Sequence, residues 1–173
     1  MTQEKHNHRD VHLWQGQPMA ETAGLVRAFV DLIQTQADLQ PQAPFLSLPL
    51  IGEPAYQVIT FADLRRMTEG GAAWLKEHAD IGLGSMVAIA PRNDLRSVIM
   101  ICALLWLGAS IAVVDPNAPE GRKRSILQAL KVNAVEAAVD VPDVEARIFS
   151  FPDPSKLPQT RQAPHHADPR QDA

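Results

Sequence analysis

One stretch constrains this chain more than any other: Ser97 to Pro119, reading SVIMICALLWLGASIAVVDPNAP. Val98 to Leu107 is a run of ten apolar residues closed by Gly108, and a shorter run, Ile111 to Val114, stops at Asp115-Pro116. A ten-residue run rich in Leu, Ala and Met suits a helix buried almost all round. A short β-branched run closed by Asp-Pro suits a buried parallel strand. Gly108 falls where a helix C-terminal glycine belongs. Helix, glycine, strand and turn make half of a doubly wound unit. The same stretch is weighed as a membrane span, because Val98 to Val114 is 17 residues with Ser110 the one polar residue. Gly108 inside it and its β-branched end argue against one continuous helix, so a soluble core is expected and no membrane span.

The chain around that centre is long enough for one domain with a real core. It has 173 residues, 46% of them apolar and 21% charged, with a net charge of −4. No basic face stands out, so nucleic acid is not an expected partner. The single cysteine, Cys102, lies inside the apolar run. That excludes a disulfide framework and a thiolate metal cluster and favours a small core residue. Residues 1–20 are polar, lack a secretory apolar region and carry His6, His8 and His12 with no patterned acid or cysteine. They read as a flexible arm rather than a metal site, and a cytoplasmic setting is the default.

From Thr22, Leu25, Phe29, Leu32 and Ile33 repeat at helical spacing, with Thr22 as a possible N-cap and Pro41 as the limit. Phe45–Leu50 and Tyr56–Thr60 flank a turn containing Gly52 and Pro54, which predicts a β-hairpin. Thr60 followed by Asp63 has the form of a capping box, Asp63 being the shorter relative of the usual glutamate. The helix it opens carries Phe61, Leu64, Met67, Gly71 and Leu75 on one stripe. Gly70-Gly71 costs about 1 kcal/mol per glycine against alanine, so something must pack closely there, and the sheet is the expected neighbour. Met86–Ala90 reads as a short buried strand, and Pro91-Arg92-Asn93-Asp94 as the loop at its carboxyl end, with Asn93 or Asp94 as helix cap.

Beyond Asp115, Pro119 is placed for a first helical turn with Asn117 as cap. Arg122, Lys123 and Arg124 read as the solvated face of that helix, and Ile126, Leu127 and Leu130 as its buried side. Val135–Val141 is a predicted strand, and Ile148-Phe149 a short edge piece. From Pro152 onward the chain holds five prolines and few apolar residues, which predicts a disordered tail over 152–173. The whole is therefore expected to be α/β. Residues 21–151 would form a mostly parallel doubly wound sheet with helices on both faces, preceded by an N-terminal helix and a hairpin. In such sheets ligands lie at the strands' carboxyl ends, and a doubly wound small-molecule binder is one reading of the residues alone.

Four segments sharpen that reading. Ile59-Thr60-Phe61-Ala62-Asp63-Leu64 resembles the "L-T-Y-x-E-L" opening motif of adenylate-forming enzymes, the superfamily of acyl-CoA synthetases, peptide-synthetase adenylation domains and luciferases. Gly82-Leu83-Gly84-Ser85-Met86-Val87-Ala88-Ile89 is similar to its "G-V-x-P-G-D-x-V-A-I", with Ser85 in place of the aspartate. Pro91-Arg92-Asn93 occupies the place of its "P-N-S" loop, with Arg92 inserted. Leu105 to Pro116 resembles "L-K-A-G-A-A-Y-V-P-L-D-P", with Val114 where leucine or isoleucine is common. The resemblance implies carboxylate activation with ATP and Mg²⁺ in the intact family, and it makes Pro91, Asn93 and Asp115 candidate substrate-loop residues.

His166 to Ala173 is similar to the stretch before the family's phosphate loop, "T-S-G-T-T-G-x-P-K-G", and no such loop stands in this sequence. A glycine-rich nest with a lysine usually cradles the phosphates. Without it no catalytic residue, no metal ligand and no cofactor are expected of this chain alone. It would be an N-terminal fragment or split half of a ligase, associating with itself or with a chain carrying the other half. The alternative is a non-catalytic binding or partner module that keeps the fold. Exposed apolar surface is expected around Trp106 and the Ile111–Val114 strand.

Overall fold

In the computed structural model of the protein, residues 29–49, 56–159 and 163 are described. The histidine cluster, Thr22 and the hairpin turn lie outside them. Helix α1 (Phe29–Leu39) stops two residues before Pro41, buries Val30, Ile33 and Ala37, and is followed by an antiparallel hairpin of β1 (Pro44–Pro49) and β2 (Tyr56–Thr60). The Thr60 hydroxyl accepts the Asp63 N–H at 3.1 Å, and the Asp63 carboxylate accepts the Thr60 N–H at 3.3 Å. Both limbs of the capping box are made, so α2 begins at Phe61 and runs to Ala79.

The remaining strands, β3 (Met86–Ile89), β4 (Ser110–Val113), β5 (Ala134–Glu136) and β6 (Arg147–Phe149), form one parallel sheet in the order β4-β3-β5-β6. Period-two alternation along β3 explains the two cores. Val87 and Ile89 face a large cluster with α1, α2 and α3 (Leu95–Trp106), while Ala88 and Ala90 face a smaller one with α4 (Glu120–Ala129). Gly108, at φ +72°, supplies the left-handed turn that ends α3 and feeds β4.

Several expectations are corrected. The β4 strand, expected to be buried, is an edge of the sheet among the described residues, and Val113 is 65% exposed, in keeping with the apolar surface expected there. Trp106 is fully buried, because it lies on the inner side of α3. Val135–Val141 is not one strand: β5 ends at Glu136, whose carboxylate accepts the Ala138 N–H at 3.1 Å and starts a 3₁₀ turn over Ala137–Val139. Asn117 does not cap α4. Its N–H donates to Asp115 at 2.9 Å instead, and Pro119 holds the cap position with no side-chain bond. Leu130 is exposed, Ile126 half-buried and Leu127 buried.

The glycine pair meets not the sheet but α3 and the C-terminal segment. A Cβ on Gly71 would lie 3.0 Å from Ala103 and from Phe151, and one on Gly70 would lie 2.3 Å from the Pro158 oxygen. The segment expected to be a tail from 152 is therefore packed at its start. Pro154 and Leu157 are buried and a 3₁₀ turn spans Pro154–Lys156. Leu157 and Pro158 meet the surface that Gly70 opens, and Phe151 the one that Gly71 opens. Apart from Ala163, the residues after Gln159 lie outside the described ones.

Candidate functional site

The site is built at the carboxyl edge of the sheet, where the loops after β3, β4 and β5 converge. Val114 N–H donates to the Ile89 oxygen at 2.9 Å, extending the β3–β4 pairing and keeping the two following loops side by side. In the first loop, Asp94 caps α3 by accepting the Ser97 N–H at 2.8 Å, and the buried Ser97 hydroxyl accepts the Arg92 N–H at 2.8 Å. These two bonds order the loop around Ser97, in which Pro91 is half-buried and Asn93 exposed. In the second loop, Asp115 is exposed and accepts the Asn117 N–H.

Asp115, Asn117, Pro119, Arg122 and Ile126 line a concavity of about 400 Å³ beside Val113, and neither Pro91 nor Asn93 reaches it. The three candidates thus share one edge of the sheet without sharing one cavity. A larger concavity of about 510 Å³, lined by Arg124, Lys131, Asn133 and Glu145 among others, lies at the amino ends of β5 and β6, away from this edge.

Three residues of this edge are not foreseen from the sequence. Lys123, expected on a solvated face, is 6% exposed, and its Nζ donates to the oxygens of Pro116 (3.3 Å), Val139 (2.9 Å) and Asp140 (2.9 Å). It ties the loop after β4 to the turn after β5. The available signal is its spacing, four residues before buried Leu127 on one helical stripe. Glu136, 2% exposed, pairs with Arg96 at 2.9 Å, and Arg96 Nε donates to the Phe151 oxygen at 2.7 Å. A carboxylate inside the run Ala134–Val139 is the signal for that buried pair, since a charge in such a run needs a partner. Burial pushes the Cys102 thiol up to about 11, which keeps it in the thiol form at neutral pH.

The chemistry of this edge is hydrogen bonding and shape. Among the described residues no group of three potential metal ligands comes together, and no helix is long and apolar enough to cross a membrane. The sequence profile of the AMP-binding enzyme family matches residues 33–169. The chain belongs to the AMP-binding enzyme family.

Relatives place it within that family's architecture. It is 27% identical over 117 residues to cyclosporin synthetase of Tolypocladium inflatum, a match covering 66% of this chain and 1% of that protein. Its fold is similar to the N-terminal subdomain of Klebsiella oxytoca NpsA in complex with 3-hydroxybenzoyl-AMSN, with a TM-score of 0.68 and 21% identity, covering 80% of this chain and 34% of that one. It is also similar to NpsA in complex with 3-hydroxyanthranilyl-AMSN, with a TM-score of 0.69 and 21% identity over 82% of this chain and 29% of that one. An artificially fused adenylation–PCP di-domain, NpsA-ThdA, gives a TM-score of 0.67 at 21% identity, covering 80% and 27%. At that identity the structures speak for the fold. This member of the AMP-binding enzyme family therefore has the fold of the NpsA N-terminal subdomain over most of its length, and it spans about a third or less of these relatives' length.

Proposed function

We propose that this chain supplies the N-terminal part of an ATP-dependent, carboxylate-adenylating ligase and that it does not adenylate by itself. The observation that carries this is the carboxyl edge, with ordered loops and a concavity beside Asp115 but no clustered glycines to cradle phosphates. Attack of a carboxylate on the α-phosphate requires donors and Mg²⁺ where charge develops. In this reading ATP and Mg²⁺ are held by residues outside this sequence. Pro91, Asn93 and Asp115 shape the neighbouring wall, and a polypeptide carrying the phosphate loop is the partner. The lone buried Cys102, with no cysteine to pair with, accords with a reducing cytoplasm.

Carboxylate-dependent exchange of pyrophosphate into ATP tests this with a panel of amino, aryl and fatty acids. The purified chain is expected to give none. Addition of a family polypeptide that carries the phosphate loop and the remaining motifs is expected to restore exchange. Exchange by the chain alone, surviving controls for contaminating host ligase, overturns the proposal. Failure of every complementing polypeptide favours a non-catalytic module.

A further inference from the structure

Lys123 is a cation buried without an anion. The residue is 6% exposed, and among the described residues no carboxylate forms an ion pair with it. Buried charges are ordinarily matched by an opposite charge. Its place in the first turn of α4 adds to the difficulty, because the positive end of a helix disfavours a cation. What surrounds the ammonium is neutral: the backbone oxygens of Pro116 at 3.3 Å, Val139 at 2.9 Å and Asp140 at 2.9 Å. Val139 and Asp140 are neighbours in the chain, and successive carbonyls of an extended strand point to opposite sides. Asp140 stands instead in the left-handed region, at φ +50° and ψ +70°, and both oxygens reach the same nitrogen. Aspartate tolerates that conformation better than most residues.

Converging backbone oxygens around a monovalent charge are also what replaces the hydration shell of a potassium ion. We infer that the oxygens of Pro116, Val139 and Asp140 form a monovalent-cation site, and that the chain's own Lys123 ammonium occupies it in place of a dissolved ion. The distances set the class of ion. Magnesium sits at about 2.0–2.1 Å from its oxygens and calcium at about 2.3–2.6 Å, and both favour carboxylates. Neutral oxygens at 2.9 to 3.3 Å suit an ammonium group or a potassium ion, which are similar in size. The tether spares the site the translational entropy of capturing a free ion, so it is filled in any salt. All four groups lie between Pro116 and Asp140, and nothing outside this sequence is needed to complete the site. Its occupant holds the loop that carries Asp115 against the turn after β5, because Pro116 follows Asp115 directly.

Chemical rescue tests it. Lys123→Ala deletes Cγ, Cδ, Cε and Nζ, the atoms that n-propylammonium carries. Thermal unfolding of parent and variant is followed by circular dichroism in the chlorides of sodium, potassium, ammonium and n-propylammonium at equal ionic strength. The gap between the two midpoints is expected to be widest in sodium, narrower in potassium and ammonium, and narrowest in n-propylammonium. It should close further as the n-propylammonium concentration rises, by mass action. Lys123→Met fills the channel with an apolar stem and is expected to keep one gap in every salt. A Lys123→Ala gap that is the same in all four salts overturns the inference, as does one that narrows equally for Lys123→Met. A Lys123→Ala chain that is unfolded in sodium is expected to fold on addition of n-propylammonium, and one that stays unfolded in every salt overturns it too. The parent supplies a second measurement. Acetic anhydride is expected to modify the exposed Lys76, Lys131 and Lys156 of the native chain and to spare Lys123. Acetylation of Lys123 at their rate overturns the inference, because its ammonium would then stand in water. The ligase reading is untouched by any of these results, since its readout is exchange in the presence of the complementing polypeptide.

Discussion

Gly70 and Pro158 are packed so closely that no other side chain fits between them: a Cβ on Gly70 would lie 2.3 Å from the Pro158 carbonyl oxygen. The oxygen belongs to the backbone just after buried Pro154 and Leu157, so it cannot swing aside as a flexible side chain would. Gly70 sits in the interior of α2, where alanine gains about 1 kcal/mol in helix propensity. The clash outweighs that gain. Gly70→Ala is expected to destabilise by about 2 kcal/mol, as overpacking of a filled site does, measured as a lower urea midpoint. Gly71→Ala, which meets Ala103 and the Phe151 ring at 3.0 Å, is expected to lose less because the ring can shift. A Gly70→Ala protein more stable than the parent would contradict the packing.

Lys123 holds three backbone oxygens with one ammonium group. Lys123→Met keeps the stem and removes the donors, taking from the buried Val139 oxygen and the partly buried Pro116 and Asp140 oxygens the ammonium they share. The expected loss is about 3 kcal/mol, read from denaturant unfolding. Lys123→Arg is not expected to restore it, because a planar fork does not fit a site shaped for a compact charge. A loss below about 0.5 kcal/mol, the range of an ordinary surface substitution, would mean that Lys123 is solvated after all.

The capping box sets an acid limit. The Thr60 hydrogen bond, helped by Arg66, holds the Asp63 carboxyl below its ordinary value of 3.8, against the opposing effect of partial burial. A group whose acidity is strengthened by folding adds stability above its unfolded pKa and loses it as pH falls through the folded one. Stability is therefore expected to decline from about pH 4 downward. Asp63→Asn is expected to remove that part of the slope in acid titrations followed by circular dichroism. An unchanged slope in Asp63→Asn would reject the assignment.

Cys102 behaves in the opposite sense. Burial pushes its thiol up to about 11 in the folded protein, whereas an unfolded cysteine ionises near 8.5. Its contribution to stability is complete at neutral pH and is lost as pH rises above the unfolded value. At pH 8, a thiol reagent is expected to label it only at the rate of unfolding or local opening. Rapid stoichiometric labelling of the native chain would place Cys102 at the surface.

Local order was written in the sequence because local order depends on near neighbours. Thr60 and Asp63 are three residues apart, so their box can be read directly, and both limbs formed. Val98 to Leu107 and Gly108 announced a buried helix and its left-handed end, and both are present. The alternation of helix and strand from Thr60 onward carried the fold class. Which strand lies at an edge, which cation is buried and what fills a glycine gap depend on residues far apart in the chain. Lys123 differs from Arg122 and Arg124 only because Val139 and Asp140, 16 and 17 residues away, bring their oxygens to it. Val113 is exposed because, among the described residues, β3 is the one strand that pairs with β4. Gly70 is required because Pro158 returns across α2 after the whole sheet is made. Sequence spacing determined the elements and their faces; the tertiary structure alone decided the contacts between distant segments, because their partners share no local pattern to read.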